Sequence, residues 1–284
     1  MNSATLNSDT RPQLYAVLGN PVAHSLSPRI HALFAAQFGT QLEYRRVRAD
    51  AGRFAQAVAD LRAAGARGAN VTLPFKQEAW ELCDEVSDRA DAASAVNTLV
   101  FNTDGSVWGD NTDGVGLVRD LTVNLHTEIA GRRVLVIGAG GGARGILQPL
   151  LSCRPSGLVL ANRTRDRAVE IAHEFRYFGL IDACGLAELR GLRFDIAING
   201  TSASLAGEVP DLPGELFLPH ALAYDMMYAD RPTPFMRWSN GHGAARVADG
   251  LGMLVEQAAE SFFVWHGHRP VTAPVFTALR VKGE

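Results

Sequence analysis

The chain has 284 residues, 47% of them hydrophobic, which is enough for a core of ordinary globular size. Lys and Arg number 27 against 30 Asp and Glu, and the formal net charge of -3 leaves no basic footprint for nucleic acid or an anionic membrane. No stretch approaches the ~18 uninterrupted apolar residues of a membrane span, and the polar opening MNSATLNSDT lacks the basic and apolar regions of a signal peptide, so the cytoplasm is the expected location.

From about Pro12, β-like runs alternate with amphipathic helical ones, the pattern of an α/β fold with mostly parallel strands. LYAVLG (14–19) is the first strand. Ser27-Pro28 reads as an N-cap followed by proline at the first helical position, opening a helix that runs to Gly39. EYRRVRA alternates as a strand, GRFAQAVADLRAAG is a helix ending at Gly65, and GANVTL is the next strand. Another helix opens near Pro74, and Asn102-Thr103-Asp104-Gly105 joins two β-runs as a hairpin.

The block from Arg132 to about Asp249 begins with RRVLVIGAGGGARGILQPLL, a strand, a glycine turn and a helix, followed by the strand and helix of GLVLANRTRDRAVEIAHEF. That is a βαβ unit. FDIAING (194–200), LAYDMMY (222–228) and ARVADG (245–250) supply further strands of a doubly wound sheet, and GMLVEQAAESFFVWHG and PVFTALRVK are helical. The length favours two domains.

Three cysteines, Cys83, Cys153 and Cys184, are widely spaced and form no CxxC or Cys/His cluster, so neither disulfide nor zinc is expected. All but two of the basic residues are Arg; the exceptions are Lys76 and Lys282.

Gly138-Ala139-Gly140-Gly141-Gly142-Ala143 follows an apolar strand and opens a helix, the context in which a glycine turn lets a dinucleotide's pyrophosphate approach a helix N-terminus. An NAD site calls for an acidic residue at the end of the second strand, to hold the ribose 2′-hydroxyl. This strand ends instead in Asn162-Arg163-Thr164-Arg165-Asp166-Arg167, and arginines there suit the 2′-phosphate of NADP. The plainer alternative, a solvated helix start, sets cations against the helix dipole for little gain.

A second constellation gathers polar residues at strand ends of the first half: Gly19 to Pro28, Asn70 to Lys76, Asn97-Thr98, and Asp110 to Gly114. Ligands of open α/β sheets bind at such ends. Each member has a structural alternative: Ser27 as a cap, Asn97 as a partner for backbone, Asp113 as a cap or turn residue, Lys76 as an exposed charge. Together they offer what a nicotinamide enzyme needs, because an alkoxide left by hydride addition must be protonated and a Lys beside a carboxylate can do so. Lys76 and Asp113 are the candidate pair, and Ser25 and Ser27 at a helix start are a candidate site for a substrate carboxylate.

These motifs, GNPVAHSLSP, NVTLPFK, AVNT, DNTDG, GAGGGARG, NRT with Arg167, INGTS, YDMMY with TPF, and DGLGMLVEQAA, resemble in order and spacing the shikimate dehydrogenase family, over nearly the whole chain from about Leu14. The resemblance implies reversible NADPH-dependent reduction of 3-dehydroshikimate to shikimate, a step of aromatic amino-acid biosynthesis. It implies an α/β substrate domain (residues 11–113 and 250–284) and a Rossmann-type NADP domain (114–249), with the C-terminal helices returning to the first. Carried over by motif, Ser25, Ser27, Thr72, Lys76, Asn97, Asp113, Tyr228 and Gln257 would meet substrate, Lys76 and Asp113 as the catalytic pair. Gly138, Ala139, Gly140, Gly141, Gly142, Asn162, Arg163, Thr164 and Arg167 would hold the cofactor's phosphates, with Met226 and Gly250 near the nicotinamide and Asp88 on the cofactor side. TSASL stands where the family commonly has TS-x-G-M, and Gly142 where its glycine loop more often has Ala. The competing readings are a quinate/shikimate dehydrogenase that also uses NAD, and a non-catalytic ligand sensor on the same fold. A monomer or homodimer with a small-molecule substrate, without nucleic acid, membrane or metal, is expected.

Overall fold

The computed structural model describes residues 12–280; the opening polar tail and Lys282 lie outside them. The first half builds a six-stranded sheet from β1 (Gln13–Gly19), β2 (Leu42–Arg48), β3 (Gly68–Val71), β4 (Glu85–Val86), β5 (Thr98–Phe101) and β6 (Val107–Asp110), in the order β2-β1-β3-β5-β6-β4. β1 pairs in parallel with β2 and β3, while β5 runs antiparallel to both β3 and β6. β5 and β6 are the hairpin expected around Asp104-Gly105.

Alternation along β1 divides this half's core. Leu14, Ala16 and Leu18 pack with α2 (Phe54–Ala63) and α3 (Lys76–Leu82), whereas Tyr15, on the opposite face, stacks on Trp265 with ring centroids 4.5 Å apart. Trp265 belongs to α9 (Leu251–His266), which with α10 (Ala273–Arg280) covers that face together with α1 (Ser27–Phe38). α1 begins differently from the sequence expectation. Ser27 is its first residue, not its cap, because a tight turn from Val22 to Ser25 brings the Ser25 hydroxyl to 3.3 Å from the Ser27 backbone N–H.

The second sheet is wholly parallel, in the order β12-β11-β10-β7-β8-β9, formed by β7 (Arg133–Ile137), β8 (Gly157–Asn162), β9 (Ile181–Gly185), β10 (Phe194–Asn199), β11 (Phe217–Asp225) and β12 (Arg246–Ala248). Its central strands β7 and β10 are buried on both faces and read as near-continuous apolar runs. Val134 and Val136 face α6 (Gly141–Ser152) and α7 (Arg165–Phe175), while Leu135 and Ile137 face a second core with Phe235 of α8 (Pro234–Gly241). β11 ends three residues short of the expected strand's end at Tyr228, since the Asp225 carboxylate accepts from the Met227 N–H and turns the chain out of the sheet.

α4 (Asp88–Ala93) and α5 (Asp113–Arg119) join the halves. A Cβ on Gly114 would lie 2.5 Å from the carbonyl oxygen of Gly145 on α6, and one on Gly116 2.7 Å from the backbone nitrogen of Gln257 on α9. Both neighbours therefore pack against bare α5 backbone, a closeness only glycine permits. α5 runs on into a single π turn, Asp120–Asn124. No helix of the described residues is long and apolar enough to cross a membrane.

Candidate active site

The strand ends of the first sheet bring Lys76, Asn97 and Asp113 together. Lys76 opens α3 and its carbonyl accepts from Val96 N–H at 2.8 Å, which fixes the start of the helix beside β5. Asp113 opens α5, its own N–H donating to Asn111 Oδ1 at 3.1 Å. Lys76 Nζ donates to Asp113 Oδ2 at 2.5 Å, with side-chain exposures of 19% and 9%: shielded from bulk water, yet not sealed from a ligand. Asn97 Nδ2 donates to the other carboxylate oxygen at 2.8 Å.

The Asn97 amide has one orientation. Its Oδ1 accepts from the Thr112 backbone N–H at 2.9 Å and from the Thr98 hydroxyl at 2.8 Å, so its NH₂ must face Asp113 and Thr112. Gln257 of α9 closes the group, its Oε1 3.4 Å from Asn97 Nδ2. Behind them lies a buried polar layer. Asn70 Nδ2 donates to Ser261 Oγ at 3.0 Å and to the Asn97 carbonyl at 3.1 Å, and Asn70 Oδ1 accepts from the Tyr44 hydroxyl at 2.7 Å.

Ser25 and Ser27 pair at 3.1 Å at the start of α1. Burial in this wall pushes the Tyr44 phenol well up. Thr72 follows β3, and its methyl passes so close to Gly19 that a Cβ there would stand 2.3 Å from it, so the Gly19 turn depends on having no side chain. Tyr228, half-buried with its phenol raised by that burial, lies on the loop after β11 and makes no hydrogen bond to the Lys76 group.

The glycine turn joins β7 to α6. Gly138 has φ +104°, where a side chain is strained, and a Cβ there would lie 2.9 Å from Thr201 Cγ2. At Gly140 and Gly141 the reverse holds: a Cβ would meet nothing within 4 Å, leaving an open cradle at the N-terminus of α6 where backbone N–H groups can hold a pyrophosphate. Ala139 is buried and Gly142 half-buried. At the end of β8, Asn162 Nδ2 donates to the Thr164 carbonyl at 2.9 Å. Arg165 is engaged by Glu188 at 3.2 Å, while Arg163 and Arg167 are exposed and make no ion pair among the described residues. Two uncommitted guanidiniums beside the cradle fit a 2′-phosphorylated dinucleotide.

Met226 reaches back over this turn, its Sδ 3.2 Å from where a Cβ on Gly200 would stand. Gly250 lies against it, since a Cβ there would be 2.1 Å from the Met226 carbonyl oxygen. Asp88 is exposed on the first turn of α4, its carboxylate making no hydrogen bond or ion pair among the described residues. Tyr44 and Ser261 bear no mark in the sequence reading, and Asn70, Thr98 and Thr112 fall in its polar clusters without a role. For Asn70, Thr98 and Ser261 the available signal was a polar residue inside an otherwise apolar strand or helix face; Tyr44, in the charged strand LEYRRVR, offered none.

Residues 17–99 match the family model described as the shikimate dehydrogenase substrate binding domain, 120–206 that of shikimate / quinate 5-dehydrogenase, and 250–279 that of the shikimate 5′-dehydrogenase C-terminal domain. The chain is 54% identical to the shikimate dehydrogenase (NADP(+)) of Alkalilimnicola ehrlichii, over 94% of this chain and 98% of that one. Among solved structures, an Ael1 enzyme from Pseudomonas putida superposes with a TM-score of 0.89 at 44% identity, covering 96% of this chain and all of its own. Shikimate 5-dehydrogenase from Thermus thermophilus, in complex with NADP(H) and shikimate, gives 0.84 at 32% identity, covering 94% and 98%. With both sheets and the closing helices matched in this way, the chain belongs to the shikimate dehydrogenase family.

Proposed function

We propose that this chain carries out the reversible NADPH-dependent reduction of 3-dehydroshikimate to shikimate, with Lys76 moving the proton and Asp113 holding Lys76 in place. The contact of 2.5 Å between Lys76 Nζ and Asp113 Oδ2 carries the residue assignment. Bound NADPH supplies the hydride to the carbonyl carbon. As the carbonyl oxygen becomes an alkoxide, the Lys76 ammonium donates a proton to it; in the oxidative direction the neutral amine takes the hydroxyl proton back. Asp113 aims the ammonium, and Asn97, locked by Thr112 and Thr98, fixes the carboxylate's second oxygen.

Ser25 and Ser27 at the N-terminus of α1 receive the substrate carboxylate, Tyr228 lies beside the substrate, and Thr72, Asn97 and Gln257 meet the ring hydroxyls. Gly138 to Gly142 take the pyrophosphate, and Asn162, Arg163, Thr164 and Arg167 the 2′-phosphate. Met226 and Gly250 border the nicotinamide, and Asp88 lies on the cofactor side. Residues 11–113 with 250–284 act as the substrate domain and 114–249 as the cofactor domain.

Lys76→Ala and Asp113→Asn test the pair. Each is expected to lose about 10²–10⁴ in kcat with NADP affinity largely unchanged. Near-normal turnover in Lys76→Ala would remove it from proton transfer.

A further inference from the structure

The end of β11 holds a carboxylate that the proton-transfer pair does not use. Asp225 is fully buried. Its Oδ1 accepts from Asn199 Nδ2 and from the Met227 backbone N–H, both at 3.1 Å; its Oδ2 accepts from the Ser204 hydroxyl at 2.7 Å and the Thr233 hydroxyl at 2.6 Å. All four donors are neutral, and Asp225 makes no ion pair among the described residues. A carboxyl group met by four donors is arranged as the acceptor-only ionised form. Burying a charge with no cation is costly, and tying loops together does not require one.

Its position gives the charge a use. The glycine turn follows β7, the arginines follow β8, and β10 and β11 lie on the other side of β7. In a doubly wound sheet the two mononucleotide halves of a dinucleotide spread to either side of that turn. With the 2′-phosphate end over β8, the nicotinamide end would lie over the ends of β10 and β11, where Asp225 is the last residue of β11, one before Met226. The nicotinamide ring carries a positive charge when oxidised and none when reduced, so a fixed negative charge at this end of the site acts on one redox form only.

Building on the NADP reading above, we propose that Asp225 is a fixed countercharge to the oxidised nicotinamide, raising affinity for NADP⁺ relative to NADPH. The test measures Kd for NADP⁺ and for NADPH separately, by titration without substrate, in the unaltered protein and in Asp225→Asn. Asn has nearly the same volume, keeps Oδ1 for the two N–H donors, and offers its NH₂ to two hydroxyls that can turn to accept. The ratio Kd(NADP⁺)/Kd(NADPH) is expected to rise about fivefold or more, the scale of one unit charge acting over several ångströms in a partly shielded site. Equal weakening of both forms would mean that Asp225 only tethers loops, and would overturn the proposal.

Asp225→Ser covers the case in which Asp225→Asn does not fold. It removes the charge, its hydroxyl can still accept from the Met227 N–H, and it leaves room for water beside the Ser204 and Thr233 hydroxyls. The same rise is expected, and an unchanged ratio in a folded variant contradicts the proposal. Failure of the unaltered protein to bind either NADP form would instead refute the NADP reading itself.

Discussion

A single side chain's commitments decide what it can do for a ligand. Of the three arginines after β8, only Arg165 is held, by Glu188; Arg163 and Arg167 are left to meet an anion. Arg163→Ala is therefore expected to weaken NADP binding by ~1–3 kcal/mol while changing NAD binding far less, as read by parallel titrations. Equal losses for both cofactors would refute the 2′-phosphate assignment. His31 shows commitment of the opposite kind. It is fully buried on α1, stacked 4.5 Å from the Tyr44 ring, with neither ring nitrogen hydrogen-bonded. Burial, then the charge of His266, push its imidazole down to about 3. The unfolded chain takes up this proton near pH 6.5 and the folded one does not, so the stability is fully present above that pH and is lost as pH falls toward 3. At pH 5 the loss from His31 is about 2 kcal/mol. Urea unfolding at pH 7 and pH 5 checks this: His31→Phe is expected to lose correspondingly less stability than the unaltered chain, and identical losses would contradict it.

Among the elements, those with a strong period and clear punctuation were legible. The glycine turn between β7 and α6, the hairpin of β5 and β6, and α9 stand where the sequence places them. The short elements were not. α4 and α5 are six and seven residues long, too short to show a helical period, and β9 (IDACG) mixes polar and small residues. Yet α5 carries Asp113 and lies between α6 and α9 on bare glycine backbone. Gly116→Ala would put a Cβ 2.7 Å from backbone atoms of Gln257, which cannot swing away like a side chain. It is expected to lower the melting temperature and to raise KM for shikimate, because α9 must shift and carry Gln257 with it. An unaltered KM at full stability would show that the two helices can part without disturbing the site. The polar layer of Tyr44, Asn70 and Ser261 was not legible for another reason: its members are scattered along the sequence and only sheet pairing and the return of α9 bring them together.

At the scale of the molecule, two sheets built on different pairing rules are joined through α4, α5 and α9, with the candidate site residues at their strand ends. The sequence carried the parallel sheet well, because strands buried on both faces read as apolar runs. The mixed connectivity of the first sheet, with β5 antiparallel to β3, left no such trace beyond its hairpin. The central claim joins both sheets, since it needs the Lys76–Asp113 pair from one and the cradle with Arg163 and Arg167 from the other. The most direct measurement offers the purified protein shikimate or quinate, each with NADP or NAD, and follows absorbance of the reduced nicotinamide. The account predicts rapid reduction with shikimate and NADP, and little signal in the other three combinations. Comparable rates with NAD would contradict the cofactor preference argued from the arginines, comparable rates with quinate would contradict the shikimate assignment, and silence in all four with NADP still bound would contradict catalysis itself.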